Sequence, residues 1–255
     1  MNAVILCGGL GTRLSEETQL KPKPMVEIGG RPILWHIMRS YQRYGVRDFV
    51  LALGYKAEVI KDYFLNYHAR QCDITIHLKT GEITFSNPTV EDWNVSLIDT
   101  GVHTQTGGRL LRLRDRLQSH GTFMLTYGDG VSNVDLRALL AFHHSHRRLA
   151  TVTAVRPAAR FGDLEIVDDR VTVFAEKPQL GAGWVSGGFF VFEPGVFAYI
   201  ADDSTMLERA PLESLAAEGQ LMAFRHSGYW HPMDTMRDKK TLESQWASGA
   251  PPWTI

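Results

Sequence analysis

The sequence predicts an α/β fold in which a mostly parallel mixed sheet is flanked by helices and carries β-hairpin insertions toward its C-terminal half. Three observations support this fold class: short apolar strands alternate with amphipathic helices, hairpin patterns follow later, and the 255-residue chain is 44% hydrophobic. Strands that alternate with helices at this spacing form right-handed βαβ units and a parallel sheet. A chain of this length and composition can bury one large core.

The first half of the chain contains the predicted parallel core. The apolar strand Val4–Leu6 precedes a helix over Pro32–Tyr44, whose apolar residues recur at helical spacing. A second buried strand, Phe49–Leu53, leads into a helix over Lys56–His68. The elements predicted next are a hairpin (Ile74–Leu78 with Glu82–Phe85), a third parallel strand (Val95–Ile98), a basic helix (Arg109–Leu117), a fourth strand (Thr122–Thr126), a helix (Asp135–His146) and a further strand (Ala150–Val155).

The second half is predicted to be richer in strands. Its predicted elements are a hairpin (Leu164–Val167 with Val171–Phe174), a strand (Gly188–Phe192), a helix (Pro211–Glu218), a strand (Leu221–Arg225) and a closing helix (Thr235–Trp246). No Pro/Ser-rich linker divides the chain, so these elements are expected to join the first half in a single domain with a Rossmann-like core.

Charge, hydropathy and cysteine content exclude several classes of protein. The chain has 27 basic and 28 acidic side chains, whereas a nucleic-acid-binding domain normally has a strong basic excess. The apolar stretch before the first glycines is far too short for a signal peptide or a membrane span. Cys7 and Cys72 form no disulfide framework. We therefore expect a cytoplasmic protein that binds neither nucleic acid nor membranes.

The first strand runs directly into a glycine-rich loop, Gly8-Gly9-Leu10-Gly11-Thr12-Arg13. Successive backbone N–H groups in such a loop bind anions, and an arginine adds a bidentate fork for phosphate oxygens. Leu14 occupies the position of the third glycine of the dinucleotide fingerprint, and the Gly-Lys-Ser/Thr ending of a P-loop is absent. These differences disfavour an NAD-dependent oxidoreductase. The loop is still expected to bind a phosphate. The alternative is that it is an ordinary glycine-rich turn with a surface arginine.

A lysine flanked by prolines follows in Lys21-Pro22-Lys23-Pro24. The prolines keep the backbone extended and prevent a helix, so the ammonium group between them is held in place. In isolation, the segment would be read as a solvated basic loop. Its position soon after a candidate phosphate loop favours a binding role.

Two aspartates are candidates for a metal site. Asp129 lies between glycines at the end of a strand, where α/β folds bind ligands. Mg²⁺ bound with a nucleotide takes one or two carboxylates together with phosphate oxygens and water. Asp234 could supply the second carboxylate, or it could cap the final helix.

The chain resembles the sugar-phosphate nucleotidyltransferases, whose signature is Gly-Gly-x-Gly-x-Arg-Leu with a Lys-Pro about ten residues later. Within that family, its longer motifs look most like those of cytidylyltransferases. These motifs are LSEETQLKPKPMVEIGGRPILWHIM, DTG, TGGRL, TYGDGV, RFG, EKP, GGFFV and PMDTMRDK, and they are spread over nearly the whole chain.

The resemblance implies a reaction and an organisation of the chain. The reaction is Mg²⁺-dependent transfer of a cytidylyl group from CTP to α-D-glucose 1-phosphate or a related sugar phosphate, giving CDP-glucose and pyrophosphate for deoxysugar and surface-polysaccharide synthesis. A nucleotide-binding core would cover about 1–155, an acceptor-binding part about 156–234, and a closing helix 235–249. A homo-oligomer is also implied, with Trp93, Trp246 and Trp253 as candidate interface residues.

The resemblance also assigns roles to individual residues. Those implied to be catalytic are Arg13, Lys23 and Asp129. Those implied to bind the nucleotide are Leu6, Gly8, Gly9, Gly11, Thr12, Arg13, Lys23, Thr104, Arg109 and Gly128. The acceptor would contact Arg160, Glu176, Lys177, Ser186 and Gly188, and Mg²⁺ would be held by Asp129 and Asp234.

Two positions depart from the family pattern. Ser186 stands where the cytidylyltransferases typically have asparagine, and Asp163 stands where they have a small apolar residue. Both positions flank the acceptor pocket, so a different phosphomonoester acceptor stays open as an alternative. A non-catalytic nucleotide or sugar-phosphate sensor is a second alternative. It is disfavoured because the chain retains Arg13, Lys23, Asp129 and Asp234 together, whereas a sensor could lose these catalytic charges.

Overall fold

The computed structural model of the chain describes residues 1–87, 89–157, 163–167, 170–175 and 183–254, without the side chains of 13, 15, 163–167, 171 and 173–175. The strands are β1 (Asn2–Cys7), β2 (Glu27–Ile28), β3 (Arg31–Pro32), β4 (Asp48–Leu53), β5 (Asp73–His77), β6 (Glu82–Ser86), β7 (Asn94–Asp99), β8 (Phe123–Tyr127), β9 (Gly130–Ser132), β10 (Ala150–Val155), β11 (Asp163–Val167), β12 (Arg170–Ala175), β13 (Val185–Phe192), β14 (Leu221–His226) and β15 (Trp230–Pro232).

The α-helices are α1 (Ser15–Thr18), α2 (Ile33–Gln42), α3 (Ala57–Leu65), α4 (Tyr67–Arg70), α5 (Thr106–Arg112), α6 (Arg114–Gln118), α7 (Leu136–His146), α8 (Ala210–Ala217) and α9 (Met236–Ala247). Short 3₁₀ turns lie at Thr12–Leu14, Lys23–Met25, Pro194–Tyr199 and Pro252–Thr254. Among the described residues, none of the helices has the length and apolar character needed to cross a bilayer.

A seven-stranded sheet forms the centre of the molecule, in the order β14-β10-β13-β8-β1-β4-β7. β1 pairs in parallel with β4 and β8, β4 pairs in parallel with β7, and β10 pairs in parallel with β14. β13 runs antiparallel to both of its neighbours. The predicted fold class, a mostly parallel mixed sheet with flanking helices, is confirmed.

Both faces of this sheet are covered, which explains the apolar run from Ala3 to Cys7 in β1. Ala3 and Ile5 face a core cluster that contains Ile37 of α2 and Leu139 of α7. Val4 and its same-face neighbour Leu6 belong to a second cluster on the opposite face, built with Leu110, Leu117, Phe197 and Leu215. Because both faces are covered, a ligand can reach the sheet at the carboxyl ends of its parallel strands, where α/β folds bind ligands.

Two predicted helices are each interrupted. The segment predicted as one helix over Lys56–His68 breaks at Asn66, whose side-chain amide donates to the Asp62 carbonyl (2.8 Å). Such local side-chain bonding competes with the helical backbone pattern. The segment predicted over Arg109–Leu117 breaks at Leu113 (φ −95°, ψ 0°), which is itself buried in the core.

The hairpin formed by β5 and β6 is a two-stranded sheet separate from the central one. Its cross-strand pairs Ile74–Phe85 and Ile76–Ile83 place four apolar side chains on one face. These side chains are 43% to 53% exposed. The ribbon is thus amphipathic, with an apolar face that the described part of this chain leaves largely uncovered.

Candidate active site

A cavity of about 280 Å³ lies at the carboxyl ends of β1 and β8. Its lining includes Leu6, Gly8, Gly9, Gly11, Thr12, Lys23, Thr104, Arg109 and Gly128, which are residues predicted to bind the nucleotide. Cys7, Pro24, Gln105, Thr106, Tyr127 and Asp129 also line it. The side chain of Arg13 lies outside the described residues, so its role stays a prediction. The glycine-rich loop and the Lys-Pro segment therefore meet at one site.

Arg109 connects the loops that follow three parallel strands. This buried residue of α5 donates from Nη1 to the carbonyls of Leu53 (3.0 Å) and Gly101 (2.7 Å), and from Nη2 to the carbonyl of Gly8 (2.9 Å). A Cβ atom at Gly8 would overlap the guanidinium group. The glycine pattern predicted that a phosphate approaches the backbone here. In the structure, the group that lies against Gly8 is the Arg109 guanidinium. Contact between Arg109 and a nucleotide stays a prediction.

Replacing Arg109 by leucine is expected to lower the free energy of unfolding by about 2 to 4 kcal/mol, because buried carbonyl groups lose their donor. Urea unfolding followed by circular dichroism measures this change. Arg112→Leu is the matched control, since its exposed guanidinium pairs with Asp203 and exposed ion pairs contribute little. Equal midpoints for the two variants would contradict the connecting role of Arg109.

Lys23 is held in place by its neighbours in the chain. The Lys23–Met25 turn follows Pro22, and the Met25 N–H donates to the Pro22 carbonyl (2.8 Å). Pro24 lies against Gly128, whose N–H donates to the Leu6 carbonyl at the end of β1 (3.1 Å). Lys23 is only 8% exposed. The lysine is therefore held in place, next to the residues that end β8. The expectation that the prolines prevent a helix is wrong here, because Pro22 is extended (φ −67°, ψ 152°) but Lys23–Met25 forms a 3₁₀ turn with Pro24 inside it.

The Lys23 ammonium group lies between two carboxylates. Nζ is 2.7 Å from Asp129 Oδ2 and 2.7 Å from Asp234 Oδ1. Burial alone would lower the pKa of Lys23, but the charges and hydrogen bonds of Asp129 and Asp234 outweigh it and raise that pKa. The ammonium therefore stays charged, and the two aspartates predicted as metal ligands already converge on a cation.

Asp234 reaches this position through a short antiparallel pairing of β15 with β9. Pro232 pairs with Gly130, and the Met233 N–H donates to the Asp129 carbonyl (2.8 Å). The cap of α9 is formed by Thr235, whose hydroxyl accepts from the Asp238 N–H (3.2 Å). Helix capping, the alternative role considered for Asp234, is thus performed by the next residue.

The donor set suits a magnesium ion that arrives with a nucleotide. Asp129 and Asp234 offer carboxylate oxygens at one point, and such ions take the rest of their ligands from phosphates and water. Within the described ranges, no group of three or more His, Cys, Asp or Glu side chains could hold a metal. Two carboxylates would leave most ligand positions of such an ion to other groups.

A second cavity lies on the other side of Tyr127. Ser186 and Gly188, both predicted to contact the acceptor, line it together with Thr126, Tyr127, Asp129, Gly130, Gly187, Phe189, Glu208, Trp230, Pro232 and Asp234. Gly188 has φ +78°, and a Cβ there would lie 2.6 Å from the Tyr127 ring. Tyr127 and Asp129 line both cavities, so the two sites adjoin at the end of β8. Arg160, Glu176 and Lys177 lie outside the described residues.

One expectation about an aromatic residue is wrong, and one acidic residue of the second cavity was missed. Trp253, a candidate interface residue, is 2% exposed and packs edge-on against His36, so it belongs to the core. Glu208 was not predicted to be part of any site, although it lines the second cavity. The sequence carries no motif around Glu208, and only the fold brings it to Tyr127.

Comparisons with known proteins identify the family to which this chain is similar. The pattern of the family described as "Nucleotidyl transferase" matches residues 2–235. A glucose-1-phosphate cytidylyltransferase of Salmonella typhi is 51% identical over 253 residues, covering 99% of this chain and 98% of that protein. A probable glucose-1-phosphate cytidylyltransferase of Bacillus subtilis is 44% identical over 256 residues, covering 100% of both.

A solved structure shares the fold. The crystal structure of HddC from Yersinia pseudotuberculosis superimposes with a TM-score of 0.70 at 24% sequence identity, covering 96% of this chain and 99% of that chain. This chain belongs to the nucleotidyl transferase family.

Proposed function

We propose that this protein joins CTP and α-D-glucose 1-phosphate to form CDP-glucose and pyrophosphate. The observation that carries the proposal is the position of Lys23, Asp129 and Asp234 beside two adjoining cavities. The relatives from Salmonella typhi and Bacillus subtilis, named for this activity, support the choice of nucleotide and sugar phosphate. Such a product would serve the synthesis of deoxysugars and surface polysaccharides.

The reaction follows from the charges at the site. A phosphate oxygen of glucose 1-phosphate attacks the α-phosphorus of CTP, and the bond from that phosphorus to the bridging oxygen of pyrophosphate breaks. The attacking oxygen is already deprotonated, so no general base is required. The barrier comes from bringing two anions together and from charge that builds on pyrophosphate. Lys23 stabilises that charge, while the two cavities align the reactants.

A metal ion is part of the proposed reaction. Enzymes of this family generally use a divalent metal ion. We infer that Asp129 and Asp234 hold Mg²⁺ here, because their oxygens converge on one point beside the nucleotide cavity. When bound, Mg²⁺ neutralises phosphate charge. Thr104, Gly9 and the other lining residues would then hold the nucleotide around it.

Pyrophosphate release tests the proposed function. The assay combines each of the four nucleoside triphosphates with a panel of phosphomonoesters that includes glucose 1-phosphate. The highest kcat/KM is expected for CTP with glucose 1-phosphate. A higher value with another acceptor would leave cytidylyl transfer intact and identify the alternative substrate. Absence of pyrophosphate release with every pair would support a non-catalytic sensor.

Ser186 tests the acceptor side of the proposal. Its hydroxyl accepts a hydrogen bond from the Gly188 N–H (3.3 Å) at the second cavity. Ser186→Asn is expected to change KM for glucose 1-phosphate about threefold to tenfold, since about one hydrogen bond is altered. KM for CTP should stay within experimental error, and steady-state kinetics with each substrate varied in turn measures both. A change confined to KM for CTP would show that Ser186 acts on the nucleotide and not on the acceptor.

We also propose that the protein is a homo-oligomer of the cytoplasm. The apolar face of the β5–β6 hairpin supports association, because exposed apolar patches commonly mark contact surfaces. Cys7 and Cys72 are free thiols, which suits a reducing compartment. Light scattering after size exclusion should give a multiple of 28.7 kDa. A mass equal to that of one chain would contradict the oligomer.

A further inference from the structure

Glu208 lies just before α8, against the start of α5 and the end of β8. Its Oε2 accepts a hydrogen bond from Thr106 Oγ1 (2.6 Å), and its Oε1 accepts one from the Tyr127 hydroxyl. The Leu207 N–H in turn donates to Thr106 Oγ1 (2.9 Å), which leaves the Thr106 hydroxyl proton for Glu208. The carboxylate is therefore oriented by two neutral donors.

The Tyr127 phenol is suited to hold this carboxylate. The Tyr127 hydroxyl is the donor in its bond to Glu208 Oε1, because an ionised carboxylate can only accept hydrogen bonds. Each carboxylate oxygen has two acceptor positions, and the Tyr127 and Thr106 bonds use one on each oxygen. The carboxylate keeps the capacity to accept hydrogen bonds from a ligand.

The surroundings of Glu208 decide what that ligand group is. Glu208 lines the second cavity, where Asp129 and Asp234 are engaged with the Lys23 ammonium group. A fixed carboxylate repels phosphate, so it suits the uncharged part of the acceptor. The Trp230 indole N–H donates to the Gly187 carbonyl (2.8 Å), so its ring adds an apolar wall. A carboxylate beside such a wall matches the hydroxyl groups and carbon atoms of a sugar ring.

We propose that Glu208 is a specificity-determining residue that accepts a hydrogen bond from a ring hydroxyl of the sugar phosphate. Tyr127 and Thr106 are the positioning residues that aim its carboxylate. The inference rests on the proposed function, since it names the group that selects the acceptor of that reaction. It also gives a role to the carboxylate in a cavity that would receive an anionic substrate.

An enzyme–substrate cycle tests this role. Wild-type protein and Glu208→Ala are assayed with CTP and with glucose 1-phosphate or its 2-, 3-, 4- and 6-deoxy analogues. For wild type, removal of one particular hydroxyl is expected to lower kcat/KM about tenfold to hundredfold, as for a hydrogen bond to a charged group. For Glu208→Ala, that analogue and glucose 1-phosphate should have nearly equal kcat/KM, with KM for CTP changed less than about threefold.

Two further variants separate recognition from folding. Glu218→Ala is the matched control, because the Tyr199 hydroxyl donates to Glu218 Oε2 (2.6 Å) at the other end of α8, and Glu218 is exposed. It should discriminate among the analogues as wild type does. If Glu208→Ala fails to fold, Glu208→Gln keeps the side-chain size but removes the charge, and a weakened discrimination at the same hydroxyl is expected.

The outcomes distinguish the inference from the proposed function. The role of Glu208 is overturned, and the proposed function is kept, if wild-type protein turns over glucose 1-phosphate and each deoxy analogue lowers kcat/KM by the same factor in wild type and in the folded Glu208 variant. Wild-type protein that releases no pyrophosphate from CTP and glucose 1-phosphate overturns the proposed function. Loss of discrimination at one hydroxyl in the Glu208 variant supports both.

Discussion

Replacing Lys23 by alanine is expected to lower kcat at least about 100-fold, the usual effect of removing one preorganised charge from the transition state. Its ammonium group is buried beside the cavity and is held by two carboxylates. Alanine removes the positive charge that would face the reacting phosphates. Pyrophosphate release at saturating CTP and sugar phosphate measures the change.

Lys21→Ala provides the control for Lys23. It removes the same charge from the same proline-rich segment, but Lys21 Nζ is 3.5 Å from Glu27 Oε1 and lies at the surface. This variant should keep wild-type kcat. Circular dichroism and thermal unfolding would show that Lys23→Ala keeps its fold. A folded Lys23→Ala protein with the kcat of Lys21→Ala would remove Lys23 from the mechanism.

Asp129→Asn is expected to lower kcat/KM at least about 100-fold and to raise the Mg²⁺ concentration needed for half-maximal rate. Asparagine keeps the size of the side chain but removes the charge that holds Lys23 and would bind the metal. Pyrophosphate release measured against Mg²⁺ concentration gives both values. Mn²⁺ binding followed by electron paramagnetic resonance gives a readout that does not depend on turnover.

Asp135→Asn is the matched control for Asp129. Asp135 caps α7 by accepting from the N–H groups of Arg137 (2.9 Å) and Ala138 (3.0 Å), and asparagine caps helices equally well. Its kinetics and Mn²⁺ binding should equal those of wild type. The proposed metal role of Asp129 fails if Asp129→Asn retains the wild-type dependence on Mg²⁺.

The parallel core could be predicted from sequence because its signal is local. β1 and β4 are buried on both faces, so their residues form short apolar runs, each followed directly by a glycine. The interruptions of the helices at Asn66 and Leu113 were missed, because they depend on a side-chain bond and on core packing. Periodicity alone predicts a continuous helix in both places.

Parts of the candidate site could be predicted because prolines and glycines stand next to the charged residues in the sequence. The prolines around Lys23 and the glycines around Asp129 indicated fixed backbone, and the structure joins the two side chains across 106 positions. Gly8 shows the limit of such patterns, since a glycine indicates a close approach without naming the partner. Glu208 shows it more strongly, because its bond to Thr106 spans 102 positions and no motif marks Glu208 itself.

The placement of Lys23 has a thermodynamic consequence for the order of ligand binding. In the free protein, Asp129 and Asp234 already have a counter-ion of their own. Under their proposed role as metal ligands, a divalent ion that arrives without nucleotide must compete with this ammonium group. A triphosphate that draws the ammonium group away lowers this competition. By linkage, the nucleotide and the metal then strengthen each other's binding by the same factor.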